Sequence, residues 1–271
     1  MKHFIKIEIK TASTEEGEIL MAELSEANFY AFEQNENSLI SYINEEDFNA
    51  ITFERLLGQN VTYKQSIIEE RNWNADWESQ FQPVLIKNFA GVRASFHKPL
   101  EGVDHEIIIT PKMSFGTGHH ATTFLMIESM QTIDFKNKKV LDFGTGTGIL
   151  AILAEKLGAD SILAVDYDEW SINNATENIS ANNCKRIITE QKNNIQSGLG
   201  VDIILANINL SVLEENAKQI SSLLSKDSVL LVSGILLKDE NSIVSAFEKN
   251  GFVKKQLAQR EEWIALLFGK Q

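Results

Sequence analysis

The chain has 271 residues, of which 43% are hydrophobic and 23% charged, and its formal net charge is −13. No apolar run approaches the ~20 residues of a membrane span, and the alternating N-terminus is not a secretory signal. We therefore expect a cytoplasmic protein that is monomeric and has no membrane partner. A single cysteine, Cys184, excludes an internal disulfide and a cysteine-based zinc site. The acidic charge disfavours direct, sequence-specific binding of nucleic acid and is compatible with a basic protein partner.

Residues 1–70 predict a small α+β domain. Ile5, Ile7 and Ile9 alternate as in a strand with one buried face, and Ser13 with Glu16 forms a capping-box pattern before a helix. The remaining predicted elements are strands at 29–32, 39–43 and 61–68, and a helix at 45–57 with Phe48, Ile51 and Leu56 facing inward. This βαββαβ order is the ferredoxin-like pattern. No run of aromatics is flanked by basic residues, so protein docking is favoured over RNA binding.

Residues 71–103 are predicted to be a connector. Trp73, Trp77 and Phe81 are spaced four apart, which predicts one stripe of a helix packed against one of the domains. Short strands at 84–86 and 92–96 then lead into a second domain, residues 104–271.

The stretch from residue 104 to 123 joins a predicted strand, 107–109, to a helix that begins near His120 and ends near Met130. Between them, Phe115-Gly116-Thr117-Gly118 forms a flexible turn that is placed to cover a cofactor. His119 and His120 have no nearby cysteine or acid at ligand spacing, so we expect no metal site. Packing or substrate contact is the favoured interpretation of these two histidines.

Residues 140–166 read VLDFGTGTGILAILAEKLGADSILAVD, which predicts a strand, a glycine loop, a helix and a second strand. Glycines let a ligand approach the backbone closely, and Asp166 is placed to accept hydrogen bonds from ribose hydroxyls. A nucleoside-containing cofactor is therefore expected. The dinucleotide fingerprint G-x-G-x-x-G would need glycine where Ile149 stands. The chain instead has D-x-G-x-G-x-G, formed by Asp142, Gly144, Gly146 and Gly148.

Strands and helices continue to alternate after Asp166. The predicted elements are a helix ending near 181, strands at 187–190, 202–206 and 229–233, helices at 210–224 and 243–249, and an antiparallel pair at 252–259 and 263–268. This order predicts an α/β fold, a doubly wound, Rossmann-like sheet with an antiparallel edge strand. Ligands bind at the carboxyl ends of such strands, which here carry Asp142, Asp166 and Asn207.

These motifs resemble those of a known family. The glycine loop is similar to motif I of the class I methyltransferases, which bind S-adenosylmethionine. Nearly the whole chain resembles the PrmA-type methyltransferases, bacterial enzymes that methylate the eleventh protein of the large ribosomal subunit. The matching segments are FGTGHHATT at 115–123, close to the family's F-G-T-G-x-H-P-T-T, residues 140–150 with 164–168, residues 206–208 with 233–236, and Asn72-Trp73 with Trp77. Ala121 replaces the family's usual proline, and Thr145 replaces a common cysteine.

The resemblance implies S-adenosylmethionine as the cofactor, and trimethylation of an N-terminal α-amine and of lysines as the activity. Thr123, Gly144, Asp166 and Asn207 match family positions that contact the cofactor. The other residues expected to bind it lie in and around the two glycine loops: Asp142, Gly146, Phe115, Thr117 and Gly118. The resemblance also implies that the small N-terminal domain recognises the ribosomal protein, free or on the ribosome, and that a flexible connector lets the catalytic domain reach several amines.

Methyl transfer from a sulfonium mainly needs positioning and desolvation, because the leaving group is already good. The sequence contains no histidine–carboxylate pair that can be assigned as a general base. We hypothesise that Asn207 is the catalytic residue and orients the amine or the cofactor through its amide oxygen. A helix N-cap at Asn207 or Asn209 is the structural alternative.

Three other functions remain open at this point. The same fold could methylate another protein, an RNA or a small molecule, although the acidic charge argues against RNA. A nicotinamide dehydrogenase is a second alternative, against which the glycine spacing argues. The third is a ribosome-assembly factor that binds S-adenosylmethionine without turnover, which the intact glycine loop and Asn207 disfavour.

Overall fold

A computed structural model of the chain describes residues 3–35, 37–57, 61–69, 81–112, 116–192 and 200–271. The chain divides into two compact units, residues 1–80 and 81–271. None of the helices in the described ranges combines the length and apolar character that a membrane crossing requires. The predicted helical stripe of Trp73 and Trp77 lies outside the described residues.

In its described residues, the first unit is a four-stranded antiparallel sheet with two α-helices. Its elements are β1 (His3–Lys10), α1 (Thr14–Glu26), β2 (Ala31–Asn35), β3 (Ser38–Asn44), α2 (Ala50–Leu57) and β4 (Tyr63–Glu69). The strand order is β2-β3-β1-β4, which is the ferredoxin-like arrangement, as predicted. Ile5, Ile7 and Ile9 form the centre of its core, and the Ser13 hydroxyl accepts from the Glu16 N–H at 3.2 Å, as the capping-box pattern indicated.

The predicted helix at 45–57 is interrupted. Residues 45–47 form one 3-10 turn, and Phe48 is extended, with φ −77° and ψ 122°. Helix α2 then begins afresh, because the Asn49 side chain accepts from the Thr52 N–H at 3.1 Å. The new start rotates the buried face, so Phe53 and Leu57 point into the core and Ile51, predicted to face inward, is 71% exposed.

The second unit contains a small sheet and a large one. The small sheet is β5 (Val84–Ile86), β6 (Ala90–Ala94) and β7 (His105–Ile109), with β5 antiparallel and β7 parallel to β6. The strands of the large sheet are β8 (Lys139–Phe143), β9 (Ser161–Asp166), β10 (Ile187–Gln191), β11 (Val201–Asn207), β12 (Leu224–Leu236), β13 (Phe252–Arg260) and β14 (Trp263–Lys270).

The large sheet has the order β10-β9-β8-β11-β12-β14-β13. Its first five strands are parallel, and β14 pairs antiparallel with both β12 and β13. The predicted doubly wound α/β sheet is therefore present, with its antiparallel strand second from the edge. The helices of this unit are α3 (Ala121–Met130), α4 (Ile149–Lys156), α5 (Glu169–Ala181), α6 (Leu210–Leu223) and α7 (Glu240–Glu248).

Helices cover both faces of the large sheet. Apolar side chains of α3, α4 and α5 belong to one buried cluster, and those of α6 and α7 belong to a second. Strands buried on both faces consist of continuous apolar runs, and Ile203, Ile204, Leu205 and Ala206 of β11 are all at most 1% exposed. The sheet is thus rigid up to its carboxyl edge, where the predicted site residues lie.

Two asparagines of α5, Asn174 and Asn178, and its C-cap Asn182 hold the preceding sheet in place. Asn182 accepts from the Ile108 N–H at 2.9 Å and donates to the Ile108 carbonyl. Asn178 accepts from the Thr110 N–H at 2.8 Å, and Asn174 donates to the Thr110 carbonyl at 3.2 Å. The four-residue spacing places the three amides on one helix face, where they satisfy backbone groups of β7 and of the residue that follows it.

Candidate functional site

The carboxyl edge of the large sheet brings three predicted residues together. Asp166 is the last residue of β9, Asn207 is the last of β11, and Asp142 is the second-last of β8. Strand β8 lies between the other two and pairs with both, as Phe143 is opposite Val165 on one side and Ala206 on the other. Parallel register therefore places residues that are 65 positions apart in the sequence at one edge.

The loop after β8 is folded onto its own strands. Gly144, Gly146 and Gly148 all have positive φ, between 54° and 79°. The N–H groups of Gly144 and Thr145 both donate to the Val165 carbonyl at 2.9 Å. A pyrophosphate-binding loop needs such N–H groups free for the anion. The loop therefore disfavours a dinucleotide, in agreement with the glycine spacing.

The carboxylate of Asp166 links the loop to the end of β9. One oxygen accepts from the Gly146 N–H at 3.0 Å, and the other accepts from the Asp168 N–H at 3.1 Å. A carboxylate has about four acceptor positions, so each oxygen keeps capacity for a second donor. Asp166 is 8% exposed. Its position and remaining capacity suit a pair of vicinal hydroxyls.

Asp142 lies beneath the loop and is fully buried. One of its oxygens accepts from the Thr145 hydroxyl at 2.6 Å and from the Ala151 N–H at 3.2 Å. The other oxygen has no hydrogen-bond partner within the described part of the chain. Burial is the main cause that raises the pKa of Asp142, to about 7, while the bonds from Thr145 and Ala151 oppose the rise. These contacts brace the loop against the first turn of α4.

The second glycine turn packs on the first. The Thr147 hydroxyl donates to the Gly116 carbonyl at 2.6 Å, and Asn178 donates to the Thr147 carbonyl at 2.8 Å. A Cβ on Gly116 would lie 2.8 Å from the Thr147 hydroxyl oxygen, which is why glycine is needed there. Phe115 lies outside the described residues. Sequence reasoning missed Thr147 and Asn178, because neither stands out in the linear pattern.

Thr117 and Gly118 complete that turn. The Thr117 hydroxyl and His119 Nδ1 are 3.2 Å apart, and His119 Nε2 donates to the Gln82 carbonyl at 2.9 Å. Gly118, with φ 87°, lies against Val92 of the small sheet. His119 therefore connects the turn to the segment that enters the second unit.

His120 is the N-cap of α3. Its Nδ1 accepts from the Thr122 N–H at 3.3 Å, and its ring meets the Trp263 ring edge-on at 4.9 Å. Within the described ranges, no group of three or more histidine, cysteine or acidic side chains is arranged to hold a metal ion. Both histidines thus make packing contacts within the second unit.

Asn207 is linked to the helix that follows the second glycine turn. Its amide nitrogen donates to the hydroxyl of Thr123, a fully buried residue of α3, at 3.3 Å. Its amide oxygen is buried and has no hydrogen-bond partner among the residues that the structure describes. The N-cap of α6 is Asn209, whose side chain accepts from the Val212 N–H at 3.0 Å. The capping role thus belongs to Asn209.

A family model described as ribosomal protein L11 methyltransferase (PrmA) matches residues 4–271. The chain belongs to this family. The match covers both compact units, so family membership extends to the ferredoxin-like unit as well as to the large sheet.

Curated relatives are similar over the same length. A ribosomal protein L11 methyltransferase of Bacteroides thetaiotaomicron is 38% identical over 261 residues, which cover 93% of either chain. The protein of that name from Porphyromonas gingivalis is 38% identical over 260 residues, 93% of this chain and 90% of the relative. A crystal structure of ribosomal protein L11 methylase from Lactobacillus delbrueckii subsp. bulgaricus is 29% identical, with a TM-score of 0.63, and covers 70% of this chain and 100% of that one.

Two positions depart from the usual PrmA pattern, and the structure shows what each does. Ala121, in place of the usual proline, is the first residue of α3, where proline is well accommodated. Thr145, in place of a common cysteine, donates to Asp142. Neither change alters Asp142, Asp166 or Asn207, the polar residues at the carboxyl ends of β8, β9 and β11.

Proposed function

We propose that this protein transfers methyl groups from S-adenosylmethionine to the N-terminal α-amine and lysine ε-amines of ribosomal protein L11. The observation that carries the proposal is the family match over residues 4–271, joined to an unpartnered amide oxygen on Asn207 at the strand edge. The relatives named above are named as methyltransferases of ribosomal protein L11.

The residues present fit S-adenosylmethionine. Asp166 offers acceptor capacity for the two ribose hydroxyls, and its carboxylate holds the glycine loop beside it through the Gly146 N–H. Asn207 lies at the end of β11, and Thr123 of α3 accepts a hydrogen bond from it. We propose these residues, with Thr117, Gly118 and Phe115 of the second turn, as the cofactor site. Asp142 supports that site from beneath, because its contacts are to Thr145 and Ala151.

When bound, the sulfonium supplies an electrophilic methyl group. The amine that attacks must be neutral, whereas a free lysine amine has a pKa near ~10.4. Desolvation in a buried site lowers that pKa. The Asn207 oxygen, as an acceptor, holds an N–H of the neutral amine and so turns its lone pair toward the methyl group. Once it has accepted the methyl group, the amine would release its proton to solvent.

Other parts of the chain have supporting roles in this proposal. We assign residues 1–70 to recognition of the ribosomal protein, 71–103 to a connector and 104–271 to methyl transfer. Strands β5 and β6 of this proposed connector belong to the second compact unit. We further propose that the protein acts in the cytoplasm as a monomer and makes no direct sequence-specific contact with nucleic acid.

The proposal is tested by mixing purified protein and methyl-labelled S-adenosylmethionine with ribosomal proteins from cells that lack this gene. Label confined to L11 supports cofactor, reaction and substrate together. Label on another protein retains the catalytic domain and discards the substrate. Cofactor binding without label on any protein contradicts the enzymatic function and favours the assembly-factor alternative.

The role of Asn207 has a matched control two residues away. Asn207→Ala should lower kcat at least tenfold, because the amine loses the acceptor that orients it. Asn209→Ala removes an equal side chain and should cost about 1 kcal/mol of stability, as the loss of a helix cap does, while kcat stays within twofold of wild type. Equal turnover of the two variants would exclude a catalytic role for Asn207.

A further inference from the structure

The strand end that carries Asn207 lies between glycines of both neighbouring strands. On one side Ala206 pairs with Phe143, the residue before Gly144. On the other side Asn207 pairs with Ser233, the residue before Gly234. Ile208 is the first residue beyond β11. It therefore lies between Gly144, which follows β8, and Gly234 of β12.

Both glycines are required by the position of Ile208. An ideal Cβ on Gly144 would overlap the Cγ2 methyl of Ile208. One on Gly234 would overlap the carbonyl oxygen of Ile208 and lie 2.8 Å from its carbonyl carbon and 3.1 Å from its nitrogen. The first obstacle is a side chain, whereas the second is backbone and cannot rotate away.

Gly234 lies in a break in the sheet that creates this close approach. The pairing of β12 with β14 shifts register between Val232 and Ile235, and Gly234 has φ 87°. A bulge with a left-handed glycine bends a strand and increases its twist locally. The buried Ser233 hydroxyl donates to the Ile264 carbonyl at 2.8 Å, which ties the bulge to β14.

We propose that Gly234 is a positioning residue for methyl transfer. Because Gly234 has no side chain, the backbone of Ile208 can lie directly against the bulge of β12. Gly144, the residue after β8, leaves room for the side chain of Ile208. These two contacts hold the end of β11 in place. In that position the Asn207 amide nitrogen donates to the Thr123 hydroxyl, and the Asn207 amide oxygen has no partner among the described residues. This inference rests on the proposed function in one respect, which is the role of the Asn207 amide oxygen in orienting the amine.

The experiment compares Gly234→Ala with Gly158→Ala. Gly158 has a similarly positive φ of 99°, but the nearest atom to its ideal Cβ is 3.6 Å away. The two variants therefore share the backbone strain of a left-handed alanine, and only Gly234→Ala adds the backbone collision. The readouts are the calorimetric Kd for S-adenosylhomocysteine, the side-chain amide resonance of Asn207 in a ¹⁵N spectrum, assigned with Asn207→Ala, and kcat.

We expect Gly234→Ala to shift the Asn207 amide resonance, to weaken the Kd at least tenfold and to lower kcat at least tenfold, with the Gly158→Ala protein within twofold of wild type. An unmoved resonance together with wild-type Kd and kcat would overturn the proposal. Equal losses in the two variants would also overturn it, since a general stability effect would then explain both.

A second pair of variants decides the matter if Gly234→Ala does not fold. Gly144→Ala should move the Asn207 resonance, and adding Ile208→Ala should return it toward its wild-type position, because the obstructing methyl is gone. No return in the double variant would contradict the positioning of Asn207 through Ile208. These binding and spectroscopic readouts need no methyl acceptor, so they remain decisive even if the L11 assay shows no activity.

Discussion

The amide nitrogen of Asn207 and the hydroxyl of Thr123 are 3.3 Å apart across 84 positions of sequence. This bond fixes which end of the Asn207 amide is the donor, and among the described residues the amide oxygen is a buried acceptor without a donor. The second glycine turn and the end of β11 are thereby joined in one site.

Removing the Thr123 hydroxyl should therefore lower activity. In Thr123→Val the shape is kept but the Asn207 N–H loses its acceptor, and an unsatisfied buried donor costs about 1–3 kcal/mol. We expect kcat to fall about tenfold in a labelled methyl-transfer assay. Thr123→Ser retains a hydroxyl and should keep most of the turnover. Equal kcat values for the valine and serine variants would show that the hydrogen bond has no catalytic consequence.

Asp142 should make stability decrease as the pH rises. Its folded pKa is raised by burial from 3.8 to about 7, so below about pH 4 both the folded and unfolded forms are protonated and this stability is fully present. Between pH 4 and 7 the unfolded chain releases the proton first, and the loss is complete above the folded pKa. Asp142→Asn stays neutral at every pH. Relative to wild type, the variant should therefore gain a few kcal/mol between pH 4 and pH 8.

Urea unfolding of wild type and Asp142→Asn at several pH values measures that difference. The exposed Asp160, changed to Asn, serves as the control and should show no comparable trend. A difference between wild type and Asp142→Asn that is constant with pH would contradict the raised pKa.

Ala121→Pro should stabilise the protein. Ala121 is the first residue of α3, where proline has the right φ and no N–H is needed. The preceding residue, His120, has φ −67° and ψ 139°, the conformation that a following proline favours. Because the unfolded chain loses freedom, we expect a gain of about 0.4–1 kcal/mol. The melting temperature measures it, and Ala121→Gly, which should be less stable than wild type, is the opposite control.

Asn178→Ala should be strongly destabilising. The fully buried side chain of Asn178 accepts from Thr110 and donates to the Thr147 carbonyl. Its removal leaves both groups unsatisfied, at a cost of about 2–4 kcal/mol. Asn173→Ala, at an exposed position of the same helix, should have little effect in the same denaturant titration. Similar unfolding midpoints for the two variants would refute the role given to Asn178.

The sequence by itself determined the elements and the chemistry at their ends. Alternation in β1, the glycine spacing at 144–148 and acids or amides after buried strands are local patterns, and they follow from the periodicity of buried positions and from the conformational freedom of glycine. Asp166 and Asn207 could be named from the sequence because each directly follows an apolar run, and parallel strands present their ends at one edge.

Only the tertiary structure decided which of these groups meet. Three features depend on strand register and on distances between strands, which a linear pattern does not encode. They are the hydrogen bond from Asn207 to Thr123, the assignment of the α6 N-cap to Asn209, and the contact of Gly234 with Ile208. The restart of the helix at Ala50 was missed because the Asn49 cap overrode a continuous apolar period. Sequence patterns report what each residue needs locally, whereas partners across a sheet are selected by packing, since it is packing that brings residues distant in sequence within contact distance.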